Sequence, residues 1–191
     1  ANDKDAEWSV PFTELFAFMN ENMIPETEKD NYEAYLATVK DKLGKKRIAL
    51  SFDDGPRAET TPKVLEILKK YNAHATFYIV GSHVEGNESI IKQIVAEGHE
   101  LGDHSYSHPL LTKKSADEVY QEVHKTSDLI AKATGGLRPM SLRPPYGAFD
   151  KMVAEQAGIA IVNWSIDSYD WKYRDAAKTI ERVKETAHNG G

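Results

Sequence analysis

Arg47-Ile48-Ala49-Leu50-Ser51-Phe52-Asp53-Asp54-Gly55-Pro56 is the stretch from which the fold is read. Its first six residues form a short apolar strand pattern, and Gly55-Pro56 forces a turn directly afterwards. Two carboxylates stand between strand and turn. Side chains adjacent on a regular strand point to opposite faces, so Asp53 and Asp54 converge only where the backbone bends. A bend gives them different partners: if one binds a cation and the other faces a substrate, one stays an anionic ligand and the other becomes a base. Alone, the segment also reads as an Asp-Gly-Pro turn with a solvated carboxylate beside it.

Outward from this stretch, strand and helix patterns alternate. Thr61 to Lys70 predicts a helix, Ala75 to Val80 a strand, Ser89 to Glu97 a helix, and Glu100-Leu101 a short strand. A long helix starts at Ser115, whose hydroxyl makes a capping box with Glu118; Val119, Val123 and Ile130 share a face until Gly135-Gly136 stops it. Met140 to Arg143 is the next strand, followed by a helix near Asp150 to Ala157, a buried-type strand over Ile159 to Trp164, and a last helix over Ala176 to Ala187. Such repetition predicts an α/β fold with a parallel sheet, open or closed into a barrel. Residues 1–44 read as a helical lead-in, with Tyr32, Tyr35, Leu36, Val39 and Leu43 at helical spacing and Gly44 as the stop; residues 45–191 form the main domain.

Composition narrows the function. Thirty acidic against 24 basic residues leave a net charge of -6, which argues against nucleic acid as a partner. With no cysteine, any metal must be held by His, Asp, Glu or backbone oxygen. No apolar run reaches the roughly 18 to 20 residues of a membrane span, and Ala1-Asn2-Asp3-Lys4-Asp5 lacks the apolar core of a signal peptide. A polar start without methionine suggests a processed or trimmed N-terminus, with room upstream for an export signal or anchor that the sequence itself leaves open.

In parallel α/β folds functional groups gather on the loops after strand C-termini. Asp53-Asp54, His104 to His108, and Arg143 to Gly147 each follow a predicted strand and are expected on one face. His104 and His108 are four residues apart, and Gly102, Ser105, Ser107 and Pro109 favour a compact loop over a helix. Two imidazoles and one carboxylate supply three ligands to a divalent ion with positions left open, although a His pair of this kind is as often a surface feature. His74, His83, His99, His124 and His188 lack comparable neighbours and read as structural or exposed. Arg143-Pro144-Pro145-Tyr146-Gly147 is a stiff turn that leaves the Tyr146 and Gly147 N–H groups free to meet a ligand or oxyanion, and Arg143 can hold a carboxylate ionised; a purely structural turn is the alternative. In Asp167-Ser168-Tyr169-Asp170-Trp171 two acids accompany aromatics, and Trp171, Tyr169 and Tyr146 offer faces on which a sugar ring can stack; structural aromatic packing is the alternative.

In this order the segments resemble the polysaccharide deacetylases of carbohydrate esterase family 4, which share the NodB homology domain. The similarity runs from about Lys45 to Gly191, roughly three quarters of the chain. It implies a deformed (β/α) barrel. Ser51 to Pro56 is similar to the family's first motif, which makes Asp53 the general base and Asp54 a metal ligand. His104 to His108 resembles the second, giving both imidazoles to the metal. Arg143 to Gly147 resembles the third: Arg143 orients the base and the Tyr146 N–H meets the acetyl oxygen. Asp167 to Trp171 resembles the fourth, in which Asp170 tethers a histidine acting as general acid and Trp171 lines the substrate groove.

Three departures stand out. Ser51 replaces the usual threonine, and Asp103 precedes His104 where asparagine is common. The family's last strand, ending in the catalytic histidine, would begin after Gly190-Gly191, and His188 lies on the wrong side of these glycines to serve. The 191 residues are therefore expected to be one piece of a longer polypeptide, impaired alone, with that strand supplied by a second fragment or chain. The resemblance implies removal of acetyl from N-acetylglucosamine units of a polysaccharide, with peptidoglycan preferred because Lys45 to Gly81 looks most like domains of Gram-positive bacteria. It also implies one divalent metal, with zinc ahead of cobalt, nickel or iron, and an extracellular or cell-surface location. Acetylxylan esterase, chitin deacetylase and a non-catalytic carbohydrate-binding homologue are the alternatives.

Overall fold

The structure is a computed structural model that describes residues 48–188 and 191; the lead-in expected over residues 1–44 lies outside them. The chain divides into two units, Leu50–Trp164 and a second made of Ala1–Ala49 with Ser165–Gly191. In the first unit β1 (Ser51–Gly55), α1 (Thr61–Lys70), β2 (Thr76–Ile79), α2 (Glu88–Ala96), β3 (Glu100–Asp103), α3 (Ala116–Thr134), β4 (Ser141–Leu142), α4 (Lys151–Ala157) and β5 (Ala160–Ile161) follow in order. All five strands pair parallel, in the order β1-β2-β3-β4-β5. The α/β architecture expected from the alternation is present, and every loop leaving a strand opens on the same edge of the sheet.

Local chemistry explains the helices. Pro62 stands in the first turn of α1, where its missing N–H costs nothing, and Leu65 and Leu68 turn inward. Ser115 caps α3 with the expected capping box, in which its hydroxyl accepts from the Glu118 N–H at 3.3 Å while the Glu118 carboxylate accepts from the Ser115 N–H at 2.8 Å. Val119, Val123, Thr126, Ile130 and Ala133 make its buried stripe, and Gly135 ends it at a φ of 79°, a left-handed value that glycine takes without strain.

Phe77, Tyr78 and Ile79 are all buried, as a central strand covered on both faces requires. Ile79, Ile91, Ile94 and Ile130 belong to one apolar cluster, while Leu111, Val119, Leu142 and Val153 belong to a second. Each such side chain contributes about 1.5–3 kcal/mol.

Strand limits differ from the expected ones where pairing overrides pattern. β1 runs through both aspartates to Gly55 instead of ending before them. β3 reaches Asp103 because Gly102 pairs with Tyr78, and a Cβ on Gly102 would sit 2.3 Å from the Tyr78 ring. Only glycine fits there. β4 stops at Leu142, ahead of Pro144 and Pro145, which have no N–H for a ladder.

In the second unit the Ala49 N–H donates to the Gly191 carbonyl at 2.9 Å. A one-turn helix α5 (Asp170–Tyr173) precedes α6 (Ala176–Thr186), which Asp175 caps by accepting from the Lys178 N–H at 3.1 Å. No helix among the described residues is long and apolar enough to cross a membrane.

Candidate metal centre

The two aspartates separate because β1 is bulged. Phe52 pairs with Phe77 and Gly55 with Ile79, so Asp53 and Asp54 together stand opposite Tyr78 alone. Asp54 adopts a φ of 65°, and its carbonyl lies 3.1 Å from His83 Nδ1, close enough to accept that N–H. The bend expected from the paired carboxylates is thus a bulge with one left-handed residue, and it sends them to different partners.

Asp54 Oδ1 lies 3.5 Å from His104 Nε2 and 3.4 Å from His108 Nε2, and the three form a group able to hold a metal ion. His104 Nδ1 is 2.6 Å from the Arg143 carbonyl, which only accepts, so Nδ1 carries the proton and Nε2 turns its lone pair to Asp54. Lone pairs from a carboxylate and an imidazole then face each other, an arrangement that a cation between them relieves. Ligands about 2.0–2.1 Å from a tetrahedral zinc are separated by about 3.3 Å, so the spacing fits such an ion. When a proton instead of a cation lies between them, the hydrogen bond from His104 holds the Asp54 carboxyl below its usual range against the opposing effect of burial, with the charges of both histidines and Arg57 adding. Burial, then the charge of His104, pushes His108 down, which keeps its ring neutral and ready to coordinate.

The loop between the imidazoles is held from several sides. Ser105 and His108 have φ of 61° and 58°. Asp103 Oδ1 accepts from the Ser105 N–H at 2.7 Å, and the Ser105 hydroxyl accepts from the His108 N–H at 3.2 Å. The Gly81 and Ser82 N–H groups donate to the Ser105 and Tyr106 carbonyls, both at 2.9 Å. From α3, Glu122 accepts from Tyr106 and Ser107.

Arg143 is buried and makes four hydrogen bonds. Its Nη1 donates to Asp53 Oδ1 and to the Ser51 hydroxyl, both at 2.7 Å, while Nε and Nη2 donate to the Val162 and Asn163 carbonyls at 3.2 Å. Its guanidinium lies 4.1 Å from the centre of the Tyr78 ring, which Gly102 makes room for. Ser51 thus performs a task any hydroxyl can, so serine in place of threonine removes nothing.

Tyr146, at a φ of 61°, sets its ring edge-on to His108 at 4.9 Å between centroids. Its N–H has no acceptor among the described residues, whereas the Gly147 N–H donates to the Pro144 carbonyl at 2.9 Å. The expectation that both amides stay free is corrected: the turn consumes the second. Asp53, Asp54, His104, His108, Arg143 and Tyr146 all lie in the first unit. Asp170 and Trp171 belong to the second, where Asp170 Oδ1 accepts from the Ser168 hydroxyl at 2.6 Å and the exposed Trp171 meets Tyr169 edge-on.

Tyr78, His83 and Glu122, the contacts unforeseen from sequence, act across 15 or more residues, as the Glu122 and His83 bonds show. No local motif marks them. Trp164, expected in a buried strand, follows β5 half-exposed, its ring centre 5.9 Å from the Arg143 guanidinium.

Asp103 carries a testable cost. It is fully buried, Oδ2 has no partner, and burial, reinforced by the charge of Glu122, raises its carboxyl well above the usual range despite the Ser105 N–H. A carboxyl raised in the folded state favours folding below its ordinary value of 3.8 and loses that contribution as pH rises through the folded value. Asp103→Asn keeps an acceptor for Ser105 and removes the ionisation. The variant is expected to melt above the parent at neutral and alkaline pH, with the gap closing toward pH 3.8 in thermal melts. A constant gap across pH would contradict the assignment.

A carboxylate and two imidazoles able to hold one metal ion thus stand beside a second carboxylate held by an arginine. The pattern of the polysaccharide deacetylase family matches residues 40–162, and the chain belongs to that family. It is 41% identical over 181 residues to the peptidoglycan-N-acetylglucosamine deacetylase PgdA of Listeria monocytogenes, covering 95% of this chain and 37% of that protein. The solved structure of the peptidoglycan deacetylase PdaC from Bacillus subtilis superposes with a TM-score of 0.73 at 41% identity, covering 75% of this chain and 71% of that one. A family 4 carbohydrate esterase pseudoenzyme from Bacillus anthracis superposes with a TM-score of 0.72 at 33% identity, covering 76% and 53%.

Proposed function

We propose that the chain is the core of a metal-dependent hydrolase that removes acetyl from N-acetylglucosamine units of peptidoglycan. The observation that carries it is the convergence of Asp54, His104 and His108 next to an Asp53 carboxylate fixed by Arg143. A divalent ion held by Asp54, His104 and His108 would supply Lewis acidity, polarising the acetyl carbonyl and acidifying a water. Two nitrogens and one oxygen favour zinc over cobalt, nickel or iron. Asp53 uses Oδ1 on Arg143, so Oδ2 takes the proton of the attacking water. The unpartnered Tyr146 N–H donates to the oxygen that gains charge. Release of the amine needs a proton donor, a role that the family resemblance gives to a histidine tethered by Asp170. A peptidoglycan substrate, with relatives in Listeria and Bacillus, supports an extracellular or cell-surface location on a Gram-positive bacterium.

Acetate release from peptidoglycan glycans, chitin oligomers and acetylxylan, measured with zinc present, tests the proposal. It is run on the 191 residues alone and joined to the C-terminal segment of a matched peptidoglycan deacetylase. Release from peptidoglycan first, rising with the added segment, is expected; release from acetylxylan alone would sink it. The likeness to the Bacillus anthracis pseudoenzyme favours a second reading, a carbohydrate binder without catalysis. That reading requires sugar binding without metal and no acetate from any of the three polymers.

A further inference from the structure

The loop that joins the two imidazoles carries two left-handed residues and is held from a distant helix as well as by local bonds. Ser105 and His108 both take left-handed conformations, each costing about 1–3 kcal/mol in a residue with a side chain, and they flank Tyr106 and Ser107. The outward N–H groups of those two residues are taken by one carboxylate. Glu122 Oε2 accepts from the Tyr106 N–H at 2.9 Å and the Ser107 N–H at 2.7 Å, and Oε1 accepts from the Ser107 hydroxyl at 2.7 Å. Three donors converge on a group that only accepts, the arrangement a carboxylate satisfies and an amide satisfies less well.

Glu122 is itself rigidly mounted. It precedes Val123 on α3, whose stripe packs into the core, and the Thr126 hydroxyl donates to its carbonyl at 2.9 Å. Lys125 Nζ lies 3.4 Å from the centre of the Tyr106 ring, so α3 grips the loop a second time. Glu122 stands outside the metal-binding trio and forms no ion pair among the described residues.

We propose that Glu122 is a positioning residue of the metal centre: it fixes the loop carrying His104 and His108 and so sets how tightly the ion is held. This rests on the metal reading of the site. Without the carboxylate, Tyr106 and Ser107 lose three bonds and the left-handed residues on either side relax, separating the two Nε2 atoms.

Zinc affinity of the 191-residue chain, read by competition with a chromophoric chelator, tests this without any need for turnover. Glu122→Ala is expected to weaken zinc binding by about 10–100-fold, the range found when groups supporting metal ligands are removed. Glu122→Gln keeps one oxygen for the two amides and can turn the Ser107 bond around. It is expected to lose several-fold at an unchanged thermal midpoint, and it carries the test should the alanine variant not fold. Val123→Ala, next on the helix and buried in the core, is expected to lower the thermal midpoint and leave zinc affinity at the parent value. Parent-like affinity in both Glu122 variants, or an equal loss in Val123→Ala, overturns the proposal. Asp54→Ala separates the two levels: if it binds zinc as the parent does, the metal reading falls and this one with it.

Discussion

An Asp53→Asn chain is expected to bind zinc as tightly as the parent and to release acetate about 10²–10⁴ times more slowly, the range a positioned general base contributes. The substitution is nearly isosteric. Asparagine Oδ1 can still accept from Arg143 Nη1, now 2.7 Å away, so the side chain stays in place. Only Oδ2 changes, from an oxygen that takes a proton to an amide nitrogen that cannot. The proposed metal ligands are untouched, since Asp54, His104 and His108 make their close contacts with one another. Single-turnover acetate release at saturating zinc, with zinc competition and a thermal melt on the same preparation, separates lost chemistry from lost fold. A rate within threefold of the parent would remove Asp53 from the mechanism.

The divergent placement of these neighbouring aspartates was only half legible in the sequence. That the carboxylates must diverge follows from strand periodicity; how they diverge does not, because the bulge arises from pairing with β2 across 25 residues. His104 and His108 could be singled out by spacing and by the serines and proline around them. The tautomer of His104 could not, since it depends on the carbonyl of Arg143, 39 residues away. Helices with local signals, such as the Ser115 box and the Gly135 stop of α3, were legible almost to the residue. The two-residue strands β4 and β5 were overextended, because an apolar run reports burial and not the number of ladder bonds. Glu122 is the sharpest case. On α3 it looks like one more polar helix residue, and only the folded loop shows that its carboxylate gathers three donors. Similarity to a family carries motif residues across, but the groups that hold the motifs in place lie elsewhere in the chain.

Arg143 yields the second large effect because its main chain and side chain serve different partners. The carbonyl fixes His104, and any residue provides a carbonyl. The guanidinium fixes Asp53 while satisfying Ser51 and the Val162 and Asn163 carbonyls. Arg143→Lys keeps the charge but offers one ammonium in place of a planar fork, and it cannot reach four acceptors set around a plane against Tyr78. Each buried acceptor left without a donor costs about 1–3 kcal/mol. Arg143→Ala also strands the Asp53 carboxylate; removing one partner of a buried pair costs about 3–5 kcal/mol, and the smaller value applies because the Asp53 side chain keeps 30% exposure. Lysine is thus expected to give a folded but less stable chain, and alanine one near the limit of stability. In Arg143→Lys zinc affinity should stay within a few-fold of the parent, because the bond to His104 survives, while acetate release falls about a hundredfold as Asp53 drifts from its line of attack. Loss of zinc with parent-like turnover at saturating metal would be the opposite split, and would mean that the guanidinium, and not the carbonyl, supports the imidazole.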